Sequence, residues 1–123
     1  MHTGIHPPID IRSGEMAELV FTVTDGAGAG IDLGGAAAEY RLARRAGERA
    51  LLTLHSGEDG GVTIDSETVT VSLDTAALVQ NGKAMLGDFF GQLRLTIGGR
   101  SLVAAEGNLC LHPIILPAEE EPV

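Results

Sequence analysis

An all-β fold in one domain, an antiparallel β-sandwich of about seven or eight short strands, is what this sequence predicts. Two observations carry that expectation. Apolar and polar residues alternate with period two through run after run, as half-buried strands require, and clusters of Gly, Asp, Asn and Ser that favour turns separate the runs. The chain has 123 residues and an apolar fraction of 44%, enough for one core. Phe21, Tyr40, Phe89 and Phe90 are its only Phe and Tyr residues and there is no Trp, so Leu, Val, Ile and Ala must do most of the filling.

Residues 1–12 contain His2, His6, Pro7 and Pro8 without a sustained period and are expected as an extended N-terminal arm. The sandwich should occupy residues 13–116. Its first strand begins near Met16, with Leu19, Phe21 and Val23 on one face and Glu18, Thr22 and Thr24 on the other. The glycine-rich run 26–30 then reverses the chain, and Asp32-Leu33 leads into a second alternating run, the pattern of a β-hairpin connection. Over Ala36–Ala46 intrinsic propensity alone would write a helix. Period two fits as well, with Ala36, Ala38, Tyr40 and Leu42 on one face, and Gly47 would cut a helix short. Strand is the expectation, because local propensity is a weak prior in a chain whose other elements read as strands.

Ala50–His55 gives the next strand, and residues 56–61 form a dense turn signal. Val62–Ile64 and Thr68–Leu73 follow. Asp74 stands where an N-cap would, ahead of a single helical turn. Phe89–Ile97 and Arg100–Ala105 make the clearest hairpin, joined by Gly98-Gly99, a two-residue loop that accepts positive φ at both positions. That loop sets Leu95 opposite Leu102 and Leu93 opposite Ala104. Leu109 and Leu111 have the other parity, which calls for a register shift, expected as a β-bulge at Gly107. Residues 117–123, with three consecutive glutamates, read as a solvated acidic tail.

The net charge of -9, from 17 acidic and 8 basic residues, argues against nucleic acid as a partner. The one basic cluster, Arg41, Arg44, Arg45 and Arg49, is interrupted by Glu48 and apolar residues. No apolar stretch reaches the ~20 residues of a membrane span, and the N-terminus lacks a signal-peptide pattern, so a soluble protein made in the cytoplasm is expected. Cys110 is the only cysteine; between Leu109 and Leu111 it reads as a small buried hydrophobe.

Several patterns invite a chemical reading. The run of glycines after a strand suggests a dinucleotide fingerprint, but Leu33 stands where its third glycine belongs, and the absence of a lysine from this segment excludes a P-loop there. Asp25 and Asp32 offer two carboxylates where calcium wants about 6–8 oxygens, so corners of a turn are the commoner use. His2, His6 and His112 could hold a transition metal only if the arm folds back onto a fixed partner. His55-Ser56 lacks a nucleophile elbow. No cofactor, metal or catalytic residue is expected, and the chain reads as a non-enzyme. Val20, Phe90 and Val103 have the parity opposite to the core. Either a second sheet or loop covers them, or they meet another subunit.

The order of elements resembles small immunoglobulin-like structural proteins of tailed bacteriophages and prophages, including the N-terminal domain of upper baseplate proteins and fibre-tail adaptors. The residues that carry the resemblance are Ile11-Arg-Ser-Gly14, Leu19 to Asp25, Ile31-Asp-Leu-Gly-Gly-Ala36, Asp74-Thr-Ala-Ala-Leu78, and the runs Gly87–Leu95 and Gly99–Gly107. The resemblance implies an immunoglobulin-like sandwich and a virion component assembled in the bacterial host cytoplasm, in the tail, baseplate or fibre adaptor, or as a head decoration protein. Its partners would be other virion proteins and copies of itself, with Val20, Phe90, Val103, Ile114, Ile115 and Leu116 as interface candidates. The alternative from another class is an immunoglobulin-like module for a carbohydrate or soluble ligand, for which a chain without tryptophan is poorly equipped.

Overall fold

A computed structural model describes residues 4–25, 27–57, 59–80 and 83–113. Among these residues eleven strands and one 3-10 turn follow in chain order: β1 (Gly4–Ile5), β2 (Ile9–Arg12), β3 (Met16–Thr22), β4 (Ala37–Ala43), β5 (Leu52–Ser56), β6 (Gly61–Asp65), β7 (Thr68–Asp74), the turn Thr75–Ala77, β8 (Val79–Gln80), β9 (Lys83–Ala84), β10 (Gly87–Ile97) and β11 (Arg100–His112). No α-helix occurs among the described residues, and none of their helices is long and apolar enough to cross a membrane.

The strands β1-β11-β10-β4-β5-β6-β7-β3 form one mixed sheet in that order, nearly closed into a barrel, and β2 extends the β1 edge along β11. β8 and β9 make a separate ribbon. The fold is therefore all-β, as expected, but the ladder is continuous and not purely antiparallel: β1 and β2 run parallel to β11, and β5 runs parallel to β6. The two edges meet at a seam. There the His6 ring lies 5.9 Å from Phe21 of β3, and the turn at Ser13–Glu15 holds both sides together. The Ser13 amide donates to the His112 carbonyl at 2.9 Å, while the Glu15 carbonyl accepts from the Thr75 hydroxyl at 2.6 Å and from the Thr75 amide at 3.2 Å.

Local chemistry explains most strand boundaries. Tyr40 and Leu42 of β4 point inward with Ala38, and burying them outweighs the helix propensity of that stretch. Gly98 and Gly99 adopt φ of 57° and 82°, the paired positive values of a two-residue hairpin loop. The Asp74 carboxylate accepts from the Ala76 amide and caps the 3-10 turn.

Three expectations are corrected. The arm expected at residues 1–12 joins the sheet at Gly4–Ile5 and Ile9–Arg12: Ile9 and Ile11 alternate with Asp10 and Arg12, a short period-two signal that the neighbouring prolines obscure. The glycine-rich reversal does not make a hairpin of β3 and β4. β3 pairs with β7 and β4 lies between β10 and β5, so residues 23–36 cross between distant strands, with only a local bridge from Thr24 to Gly30. Leu33, fully buried, anchors that crossing, and its amide donates to the Ser66 carbonyl.

The β10/β11 bulge is the third. Leu95 does face Leu102, but Leu93 faces Ala105 and Arg94 faces Val103, so the extra residue is Ala104. Gly107 sits in regular register opposite Gly91, and both glycines have a packing reason. A Cβ on Gly91 would overlap the Tyr40 hydroxyl, and one on Gly107 would press into the His6 ring. The glycine pair thus makes a hollow in the inner face of the hairpin. A file of rings occupies it, with Phe21 between His6 and Tyr40, its centroid 6.2 Å from that of Tyr40.

Within that file the Tyr40 hydroxyl is buried without a hydrogen-bond partner, and burial pushes its pKa up to about 12. Below pH ~10 the phenol is neutral in the folded and unfolded chains alike. Between about pH 10 and 12 only the unfolded chain ionises, so stability falls as pH rises, by about 2–3 kcal/mol across the window. Tyr40→Phe should remove that component and be no less stable at neutral pH, because the lost hydroxyl bonds nothing. Urea unfolding of both proteins at pH about 8 and about 11.5 checks this; a parallel fall in the two would contradict it.

Candidate interaction surface

The outward face of β4, β10 and β11 arranges its side chains in three cross-strand rows. Ala43, Phe90 and Asn108 form the first, Arg41, Gln92 and Glu106 the second, and Glu39, Arg94 and Val103 the third. Arg41 Nε binds Glu39 Oε1 at 2.6 Å along one strand, and this hydrogen bond, aided by the charge, pushes the guanidinium pKa further up. The pair is exposed and adds little to stability. Gln92 Nε2 donates to Glu106 Oε2 at 3.0 Å across the hairpin.

Residues 44–50 arch over the end of this face, turned by Gly47 at φ 83° and closed by the Leu51 amide donating to the Leu42 carbonyl at 2.7 Å. A groove of about 560 Å³ lies on one side of the arch, floored by Ala43, Phe90 and Gln92 and walled by Arg41, Arg45 and Arg49. On the other side a wider groove of about 760 Å³ runs past Arg45, Glu48 and Asn108, with Phe90 again at its floor. Both are open troughs rather than enclosed cavities. Half-buried Phe90 is the apolar centre they share.

The basic cluster seen in the sequence does not act as one patch. Arg44 leaves it: its guanidinium sits 4.3 Å over the Phe89 ring and donates to the carbonyls of Leu86 and Asp88 at 2.8 and 3.2 Å. A cation over an aromatic face with carbonyl acceptors around it is a structural plug at the barrel end. Arg41 is engaged by Glu39, which leaves Arg45 and Arg49 on the groove walls.

Of the residues singled out in the sequence, Phe90 and Val103 share the β10/β11 outward face, both half-buried. Val20 is elsewhere. It lies on β3, 62% exposed, on the same outward face as Met16 at 64%. Ile114, Ile115 and Leu116 lie outside the described residues, as does the acidic tail. Asp25 and Asp32 serve the loop: Asp25 Oδ1 accepts from the amides of Ala27 and Ala29, and Asp32 Oδ1 from that of Gly34. His55 Nδ1 contacts the Ser56 carbonyl, and His6 Nδ1 that of Pro7.

One cluster was missed. Cys110 is not a core residue: Leu109 and Leu111 point inward, so Cys110 and His112 share the outward face of β11, half-buried. Asp10 of β2 lies beside Cys110 in parallel register and Asp88 of β10 lies beside it on the other side. His112 Nε2 meets Asp10 Oδ1 at 2.8 Å. Burial and then the two carboxylates, Asp88 also hydrogen-bonding the thiol, push the Cys110 pKa up. The Cys-Leu-His spacing is the signal that could have found the pair; the parallel pairing that adds Asp10 was beyond local pattern. No family model and no curated protein matches the sequence.

Proposed function

We propose that this chain is a non-enzymatic structural component of a bacteriophage or phage-like virion, a tail, baseplate or fibre-adaptor protein that works through protein–protein contacts. The observation that carries the reading is the state of β3. Among the described residues it pairs with β7 alone; at the seam only the rings of His6 and Phe21 approach and no strand ladder joins β3 to β1, while Met16 and Val20 stand exposed on its outward face. A sheet edge with apolar side chains is a template for strand addition, in which main-chain hydrogen bonds supply affinity and alternate side chains supply specificity. The chain already uses the device within itself, since β1 and β2 add to β11 from a segment remote in sequence.

An immunoglobulin-like descent belongs to the same proposal. Its support is the weak joint of the sheet: β5 and β6 share only the pairs His55↔Gly61 and Ser56↔Val62. On either side of that joint lie two antiparallel leaves, β11-β10-β4-β5 and β6-β7-β3, a division into four and three strands of the kind two-sheet sandwiches have. Electron microscopy with a specific antibody tests the role. The wild-type protein is expected in purified particles, and a folded variant carrying Met16→Lys and Val20→Lys is expected to be absent from them. Finding the wild type only as a free cytoplasmic monomer would overturn the reading. The groove at Phe90 favours a second reading, a ligand-binding module; reproducible binding on a glycan array would select it.

A further inference from the structure

We propose that Asp10, Cys110 and His112 form a binding site for a borderline-soft divalent cation, Zn(II) above all, on the outward face of β2 and β11. Their ligand atoms, one carboxylate oxygen, Cys110 Sγ and one imidazole nitrogen, all lie within 4.8 Å of one another. Ligands of a tetrahedral zinc ion sit about 2.0–2.3 Å from the metal, so small rotamer adjustments around a common centre suffice. Thiolate, imidazole and carboxylate together form a donor set that selects zinc and its neighbours over magnesium or calcium.

The backbone supplies the pre-organisation. Cys110 and His112 are two residues apart on one strand, which sets both side chains on the same face, and Asp10 is held in register with Cys110 by the parallel ladder. Three of the donors therefore come from hydrogen-bonded strands and not from a loop. Asp88 completes the surroundings from β10, against the thiol. The cluster sets the carboxylates of Asp10 and Asp88 on either side of Cys110. A divalent cation bound there displaces the thiol proton to solvent, bonds the resulting thiolate, and neutralises the carboxylates. Three protein ligands leave one position for water or for Asp88.

Cobalt(II) is the probe for the test, added to the reduced full-length protein. One cobalt per chain is expected, with a sulfur-to-cobalt charge-transfer band in the near ultraviolet and the intensified visible bands of four-coordinate cobalt, both removed by added Zn(II). The charge-transfer band reports the Cys110–metal bond in the wild type and depends on no variant. Cys110→Ser should abolish it, and His112→Ala should weaken zinc binding, read by calorimetry, by more than tenfold. Asp88→Asn should weaken it about tenfold, as loss of a group supporting a ligand does. Replacing His2 and His6 together by Ala should leave binding unchanged. Absence of the charge-transfer band in the wild type would overturn the site, as would zinc affinity that survives loss of Cys110 and His112 or disappears with His2 and His6.

Discussion

Phe89→Ala should lower the free energy of unfolding by about 3–5 kcal/mol, the largest effect of any single substitution considered for this chain. Phe89 is 1% exposed, faces inward from β10 opposite Leu109, and is one of only four benzene-type rings in the sequence. Truncation removes the transfer energy of the ring and leaves a cavity that neighbouring strands, fixed in their ladders, cannot collapse to fill. It also removes the platform under the Arg44 guanidinium, which would then bond the carbonyls of Leu86 and Asp88 over an empty space. A domain of this size has only about 5–15 kcal/mol in total, so the variant should unfold at a visibly lower urea midpoint. Phe89→Leu, which refills most of the volume, should cost much less. Equal costs for the two would mean that the ring is not packed as described.

Gly91→Ala should destabilise the fold by about 1–3 kcal/mol, although it adds a single methyl group. The new Cβ would occupy the space of the Tyr40 hydroxyl, and the Tyr40 ring cannot swing aside because Phe21 lies against it inside the barrel. Combination with Tyr40→Phe removes the atom in deepest conflict and should recover part of the loss, a coupling that a double-mutant cycle measures. Gly98→Ala makes a useful contrast: a Cβ there meets nothing within 4 Å, and its cost is conformational, from φ of 57°. If Tyr40→Phe leaves the penalty at Gly91 untouched, the clash lies in the backbone instead.

The properties legible in the sequence are those that a few neighbouring residues decide. Alternation put Leu93, Leu95, Leu109 and Leu111 in the core, Asp74 marked its turn, and Gly98-Gly99 marked the tightest hairpin. Partner choice is another matter. Nothing near Met16–Thr22 says that it pairs with Thr68–Asp74 and not with the strand that follows it, because the pairing is set by which faces the whole sheet can bury. Gly107 misled for a related reason: a glycine in a strand marks either a bulge or a close approach, and only the position of His6 distinguishes them. The metal-ligand cluster was hidden by the same non-locality, since Asp10 and Cys110 are brought together by a parallel pairing of the two ends of the domain.

That parallel pairing also orders the events by which the chain acquires its shape. The strand partners of residues 4–12 among the described residues all lie in Arg100–His112, so β1 and β2 have no ladder to join until β11 is in place. The turn at Ser13–Glu15 ties this late segment to β3, so the seam between the two edges can shut only after the hairpin has offered its outer side. Contacts of such long sequence separation are slow to form, and until they form the β11 and β3 edges stand bare, the condition in which a chain is most exposed to misassembly. Nascent copies of this protein would therefore meet one another most readily before closure, when the β11 edge that later receives β1 and β2 is still vacant.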